Sequence, residues 1–144
     1  MTTFRAKVFV SILVIAALGC ATSTEPAPVL VPMVVAAGRD AAGIVSFDVE
    51  WRNTGADPVY APGCDHRVSM WLERHGVAGW EEFGGGVCLT NLDQSPVRVD
   101  PNGSVRAVVR VGPGSAGDYR AVTSASAAPG EAGQLVRSPS AHIS

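Results

Sequence analysis

Cys64-Asp65-His66, followed by His75 and Cys88, is the densest group of side chains with chemical potential in this 144-residue sequence. Two thiolates and two imidazoles could hold a tetrahedral zinc ion. The spacing, however, contains neither the C-x₂-C pair nor the H-x₃₋₅-H pair from which such sites are usually built. The competing chemistry is a disulfide between the two cysteines, which would leave His66 and His75 as surface side chains beside strand ends.

Other reactive constellations are weaker. Nucleophilic catalysis needs a Ser or Cys held by a base and an orienting acid. Here the serines sit in turn-like runs such as Thr123-Ser124-Ala125-Ser126, and no G-x-S-x-G is present. Glu81 and Glu82 are adjacent, so on a strand they point to opposite faces and make a poor acid/base pair. Gly84-Gly85-Gly86 lacks the Lys-Ser/Thr that completes a phosphate loop and reads as a flexible turn. The sequence therefore predicts no enzyme, no catalytic residue, no resident metal and no cofactor.

Aromatic placement is more informative. Trp71 alternates out of phase with Met70 and Leu72, which directs it to the opposite face of its strand, and Trp80 and Phe83 follow closely. Trp71, Trp80 and Phe83 are the candidate binding surface. The alternative is that the segment after Trp71 folds back over it and makes a small satellite core.

The N-terminus places these residues in a compartment. Arg5 and Lys7 precede Val8–Leu18, an uncharged apolar run too short to span a bilayer core of roughly 30 Å. Basic flank, short apolar stretch and small residues together read as an export signal. Ala17-Leu18-Gly19-Cys20 resembles the lipobox of bacterial lipoproteins. That resemblance implies cleavage after residue 19, a diacylglycerol on Cys20 and anchoring to a membrane, since two or more acyl chains hold a protein stably. Residue 21 is Ala rather than Asp, which by the lipoprotein sorting pattern implies the outer membrane in a Gram-negative host. Residues 20–28, ending in Glu25-Pro26-Ala27-Pro28, read as a lipidated cysteine on an extended tether.

With Cys20 committed to lipid, Cys64 and Cys88 are the two cysteines left. In an exported protein such a pair is expected to form a disulfide. Charge excludes other partners. The chain carries 11 Lys+Arg against 13 Asp+Glu, and Lys7 is its single lysine. This mild acidity, with scattered arginines, has no footprint for nucleic acid and no polybasic run for anionic lipid.

The elements that must position these residues are strands. In Ile44–Arg52, Val45, Phe47, Val49 and Trp51 alternate with Ser46, Asp48, Glu50 and Arg52, the period of a half-buried strand. Asn53-Thr54-Gly55 and Pro58 punctuate its end. Val29–Ala37, Val59–Ala61, Val68–Arg74, Ser95–Val99, Ser104–Val111, Asp118–Ser124 and Gln134–His142 repeat the grammar. About seven to eight short strands without an amphipathic helix predict an all-β antiparallel sandwich over residues 29–144.

Val45–Val122 resembles the immunoglobulin-like β-sandwich of small bacterial envelope proteins, including BsuPI-type proteinase-inhibitor domains. The matching pieces are the alternating strand, Asn53-Thr54-Gly55, Pro58-Val59, Pro101-Asn102-Gly103-Ser104 and Gly117-Asp118-Tyr119-Arg120. The resemblance implies a tyrosine corner at Tyr119, whose hydroxyl would bond upstream backbone. The sequence departs from antibody domains at Ala121, two residues after Tyr119, where those place a cysteine. Three functions are open at this point: a non-enzymatic envelope lipoprotein contacting a protein or polymer, a proteinase inhibitor using Trp80–Leu92, or a periplasmic metal-binding protein using Cys64, His66, His75 and Cys88.

Overall fold

The computed structural model describes residues 30–144. The signal segment 1–19, Cys20 and the tether to residue 28 lie outside the described residues, as does Val29. The described residues form twelve strands and no helix: β1 (Leu30–Arg39), β2 (Val45–Asn53), β3 (Val59–Ala61), β4 (Gly63–Cys64), β5 (Arg67–Val68), β6 (Trp71–Gly76), β7 (Gly79–Gly85), β8 (Val97–Val99), β9 (Ser104–Val111), β10 (Gly117–Ala125), β11 (Gln134–Arg137) and β12 (Ala141–Ile143).

β2 is the centre of one sheet. Val45, Phe47, Val49 and Trp51 are fully buried, while Ser46, Asp48, Glu50 and Arg52 turn outward. Each such apolar side chain contributes about 1.5–3 kcal/mol on leaving water. β2 pairs antiparallel with β1 and with β9, giving the order β1-β2-β9. The second sheet runs β11-β10-β6-β7, with β12 on the same edge of β10 as β11. Between β11 and β12, Ser138 substitutes for a strand residue: its N–H donates to the Ala121 carbonyl at 2.8 Å and its hydroxyl accepts from the Ala121 N–H at 2.9 Å. Two-stranded pairs β3-β8 and β4-β5 complete the fold.

The chain is thus an all-β antiparallel sandwich. Its strand order is that of immunoglobulin domains: β1, β2 and β9 occupy the A, B and E positions, β6, β10 and β11/β12 the C, F and G positions, and β7 the added C′ position. Ala121 is completely buried where antibody domains have their second cysteine, and Trp51, Phe47, Leu72 and Tyr119 fill the space between the sheets.

Two sequence expectations need correction. Twelve strands replace seven to eight, because the last candidate divides at Ser138-Pro139 and because β4, β5 and β7 have no hydrophobic period of their own. Gly84-Gly85 is not a flexible turn but the end of β7, paired with Leu72 and Trp71. A Cβ at Gly84 or Gly85 would stand 2.8 Å from Val111 or Val109, so the two glycines let β7 close against β9 at the sandwich edge. Cys64-Asp65-His66 is a tight hairpin between β4 and β5, with both Asp65 and His66 at positive φ (51° and 63°), as a two-residue type I′ turn requires.

Candidate interaction face

Cys64 and Cys88 are disulfide-bonded, with Cα atoms 5.4 Å apart. The bond joins the β4-β5 hairpin to the loop after β7, and further contacts tighten the junction. The Asp65 N–H donates to the Asp93 carbonyl at 2.8 Å, and His66 Nδ1 lies 3.3 Å from the Asp93 carboxylate. Hydrogen bonds from Ser95 and the neighbouring His66 hold the Asp93 carboxyl below the usual carboxylate range. Both sulfurs are spent in the disulfide and His75 packs against Trp80, so the four proposed zinc ligands do not converge. Among the described residues no group of three or more His, Cys, Asp or Glu side chains could hold a metal ion.

Tyr119 is the third residue of β10 and is fully buried. Its hydroxyl donates to the Ser115 carbonyl at 2.6 Å, four residues upstream, which is a tyrosine corner. Phe83 meets its ring edge-on at 5.3 Å, and the Arg74 guanidinium lies 5.9 Å from the ring centre. This placement separates Phe83 from the two tryptophans. The β6-β7 register skips one residue between Glu82 and Gly84, and the skipped residue is Phe83. The bulge turns its ring into the sandwich, against the core.

Trp71 and Trp80 remain on the outer face. Trp71 pairs directly with Val122 and Gly85, His75 with Trp80, Glu73 with Arg120 and Glu82, and Val122 with Arg137. These residues therefore share one surface of the β11-β10-β6-β7 sheet. Arg120 organises it. Its guanidinium carbon lies 4.1 Å from the centre of the Trp80 ring, and its Nε donates to Glu73 at 2.7 Å. Arg137 approaches the same Glu73 oxygen at 3.5 Å. Side chains of Glu73 and Arg120 are 13% and 20% exposed, so this ion pair is screened less than an open surface pair. His75 completes the frame, edge-on to Trp80 at 5.2 Å. Beside it Val122 is completely buried although it faces away from Ala121 and Thr123, with Trp71 opposite; Gly86 crosses close to the Trp71 ring. The outer face thus has a small apolar cluster of its own at Trp71–Val122 and a charged aromatic ledge at Trp80–Arg120.

Arg120, Glu73 and Arg137 were not among the candidate residues read from sequence. Each lies on the outward period of its strand, but nothing local indicates that β10 runs beside β6. The chain matches no protein-family model and no curated protein.

Proposed function

We propose that this chain is a non-enzymatic interaction module of the bacterial cell envelope, tethered by lipid at Cys20, which grips a protein or polymer through the outer face of the β11-β10-β6-β7 sheet. The observation that carries the proposal is the Arg120 guanidinium stacked on Trp80 and locked by Glu73. Tryptophan and arginine dominate binding energy at interfaces, and side chains already fixed by neighbours lose little entropy on binding.

Amine-reactive cross-linkers suit this chain badly, because processing before Cys20 removes Lys7, the single lysine. A photoreactive residue at Glu82, beside the ledge, is expected to give an adduct in living cells that Arg120→Ala abolishes. The same residue at Val77, in the turn after β6, is expected to give none. Equal adducts at both positions would refute this use of the face. The anchor is tested separately: membrane-bound protein should take no amine label, or one at residue 20 only. Labelling at Lys7 would show a retained signal and overturn the lipoprotein reading.

A second reading, inhibition of a proteinase, draws support from one feature. Val87 and Leu89, 87% and 62% exposed, flank Cys88 in a loop pinned by the disulfide and by the Leu92 N–H donating to the Leu89 carbonyl at 3.0 Å. It narrows the expected Trp80–Leu92 segment to the part after Gly85, since Trp80–Gly85 is strand. Competitive inhibition of a serine proteinase, lost in Leu89→Gly, would favour it; inertness toward a broad panel would remove it.

A further inference from the structure

The other outer face, that of β1-β2-β9, carries apolar side chains with no partner among the described residues. Val31, Met33 and Val108 project from it at 47%, 56% and 59% exposure, and Val35 is exposed at the bulge where β1 shifts register against β2. The register aligns Met33 with Glu50 and Arg106, and Ala36 with Asp48 and Val108. Small residues, Ala36, Gly38 and Ser46, leave a shallow groove between Val108 and Arg110.

We infer that this face rests on the lipid leaflet holding the acyl chains, an inference that depends on the proposed lipidation of Cys20. Two observations choose lipid over a second copy or a protein. The first is reach. Nine residues, 21–29, separate Cys20 from the start of β1, so even fully extended they span about 30 Å. β1 is the element nearest the anchor, and at that distance the face meets the leaflet at high effective concentration. Weak apolar contacts then suffice, and no polybasic run is needed.

The second is charge. Arg52, Arg106 and Arg110 on this face are balanced by Asp48, Glu50 and, at its edge, Asp40, so the face is neutral whereas the whole chain carries −2. Asp48 is neutralised by Arg106, and Arg110 reaches Asp40 at 3.2 Å. Guanidinium groups thus ring the aliphatic side chains on a face that carries no net negative charge. Such groups suit the phosphate level of a bilayer while Val, Met and Val contact the acyl boundary.

The orientation leaves the Trp80–Arg120 ledge, on the opposite side of the sandwich, directed away from the membrane. The proposed anchoring face and the proposed partner face do not compete.

The test uses the lipidated mature chain in phosphatidylethanolamine/phosphatidylglycerol vesicles containing a nitroxide lipid. A fluorophore is placed on Met33→Cys, Val108→Cys or, as control, Val77→Cys. Labels at positions 33 and 108 are expected to be quenched severalfold more than at 77, and Met33→Ser/Val108→Ser to swing a Val35→Cys label out of quencher range with an unchanged denaturation midpoint. Equal quenching at 33, 108 and 77 on co-floating vesicles would overturn the inference while leaving the anchor intact. Shielding from aqueous quencher that rises with protein density, without lipid quenching, would show a second copy on the face and also overturn it. Failure to co-float, or flotation unchanged by Cys20→Ser, would instead refute lipid anchoring, and the inference would fall with it.

Discussion

Arg120 stacks on Trp80 at 4.1 Å while its nitrogens hold Glu73, so one side chain joins the aromatic and ionic halves of the outer face. Stacking and ion pairing make different demands on it. Lysine keeps the charge but loses the planar fork and most of the contact with the indole. A double-mutant cycle of Arg120→Lys and Trp80→Leu is expected to give a coupling of about 0.5–2 kcal/mol in chemical denaturation. Strict additivity would mean that the two side chains merely coexist.

The Tyr119 hydroxyl is the buried end of a bond to Ser115. Tyr119→Phe leaves that carbonyl without its donor and should lower stability by about 1–3 kcal/mol, read as a shift in the urea midpoint. Gly114→Ala is expected to reproduce the loss by a different route. Its Cβ would lie 2.7 Å from Val45 and 3.0 Å from the Tyr119 oxygen.

Asn53 is completely buried at the end of β2, and its amide is fully used. Nδ2 donates to the carbonyls of Asp57 at 2.8 Å and Val99 at 3.0 Å, and Oδ1 accepts from the Gly55 N–H at 2.9 Å. Asn53→Ala should cost about 1–3 kcal/mol for each buried group left unpaired. Asn53→Asp should be worse near neutrality, because a carboxylate would face two carbonyls. A midpoint in Asn53→Asp equal to wild type would contradict this network.

Removing the Cys64–Cys88 bond, with a sequence separation of 24, should cost about 3 kcal/mol. Natively purified protein is expected to show no thiol at either position before reduction. In Cys64→Ala, hydrogen exchange should rise first in the loop from Gly86 to Gln94 and in the β4-β5 hairpin, since the bond joins those two pieces.

The hydrogen bond from Arg106 holds the Asp48 carboxyl below the usual carboxylate range, and the Arg106 charge adds to this. A lowered folded-state value means the stabilisation is fully present above the unfolded value of about 3.9 and is lost as pH falls through the folded value. Melting temperature followed from about pH 6 to about pH 2.5 should therefore fall less steeply in Asp48→Asn than in wild type. Parallel curves would show that the pair adds nothing to acid stability.

The sandwich was legible in the sequence wherever a strand has one dry face. Val45-Phe47-Val49-Trp51 and Val105-Ala107-Val109-Val111 declare their inner sides by alternation alone, because a period of two can bury four such side chains together only on a strand. The corner at Tyr119 was implied by the resemblance of Gly117-Asp118-Tyr119-Arg120 to immunoglobulin-like domains, and the cysteine pair could be joined by counting. β7 was missed because Gly79–Gly85 has no apolar alternation; its pairing with β6 and its fit against β9 impose the strand. The same bulge that completes this pairing carries Phe83 inward, away from Trp71 and Trp80. Arg120 and Trp80 belong to strands that meet through β6, and their contact depends on a register between distant segments. Alternation assigns a side chain to a face, whereas its neighbour across the sheet follows from the packing of the whole core. For that reason the inward residues could be read from order alone, and the outer ledge required the tertiary structure.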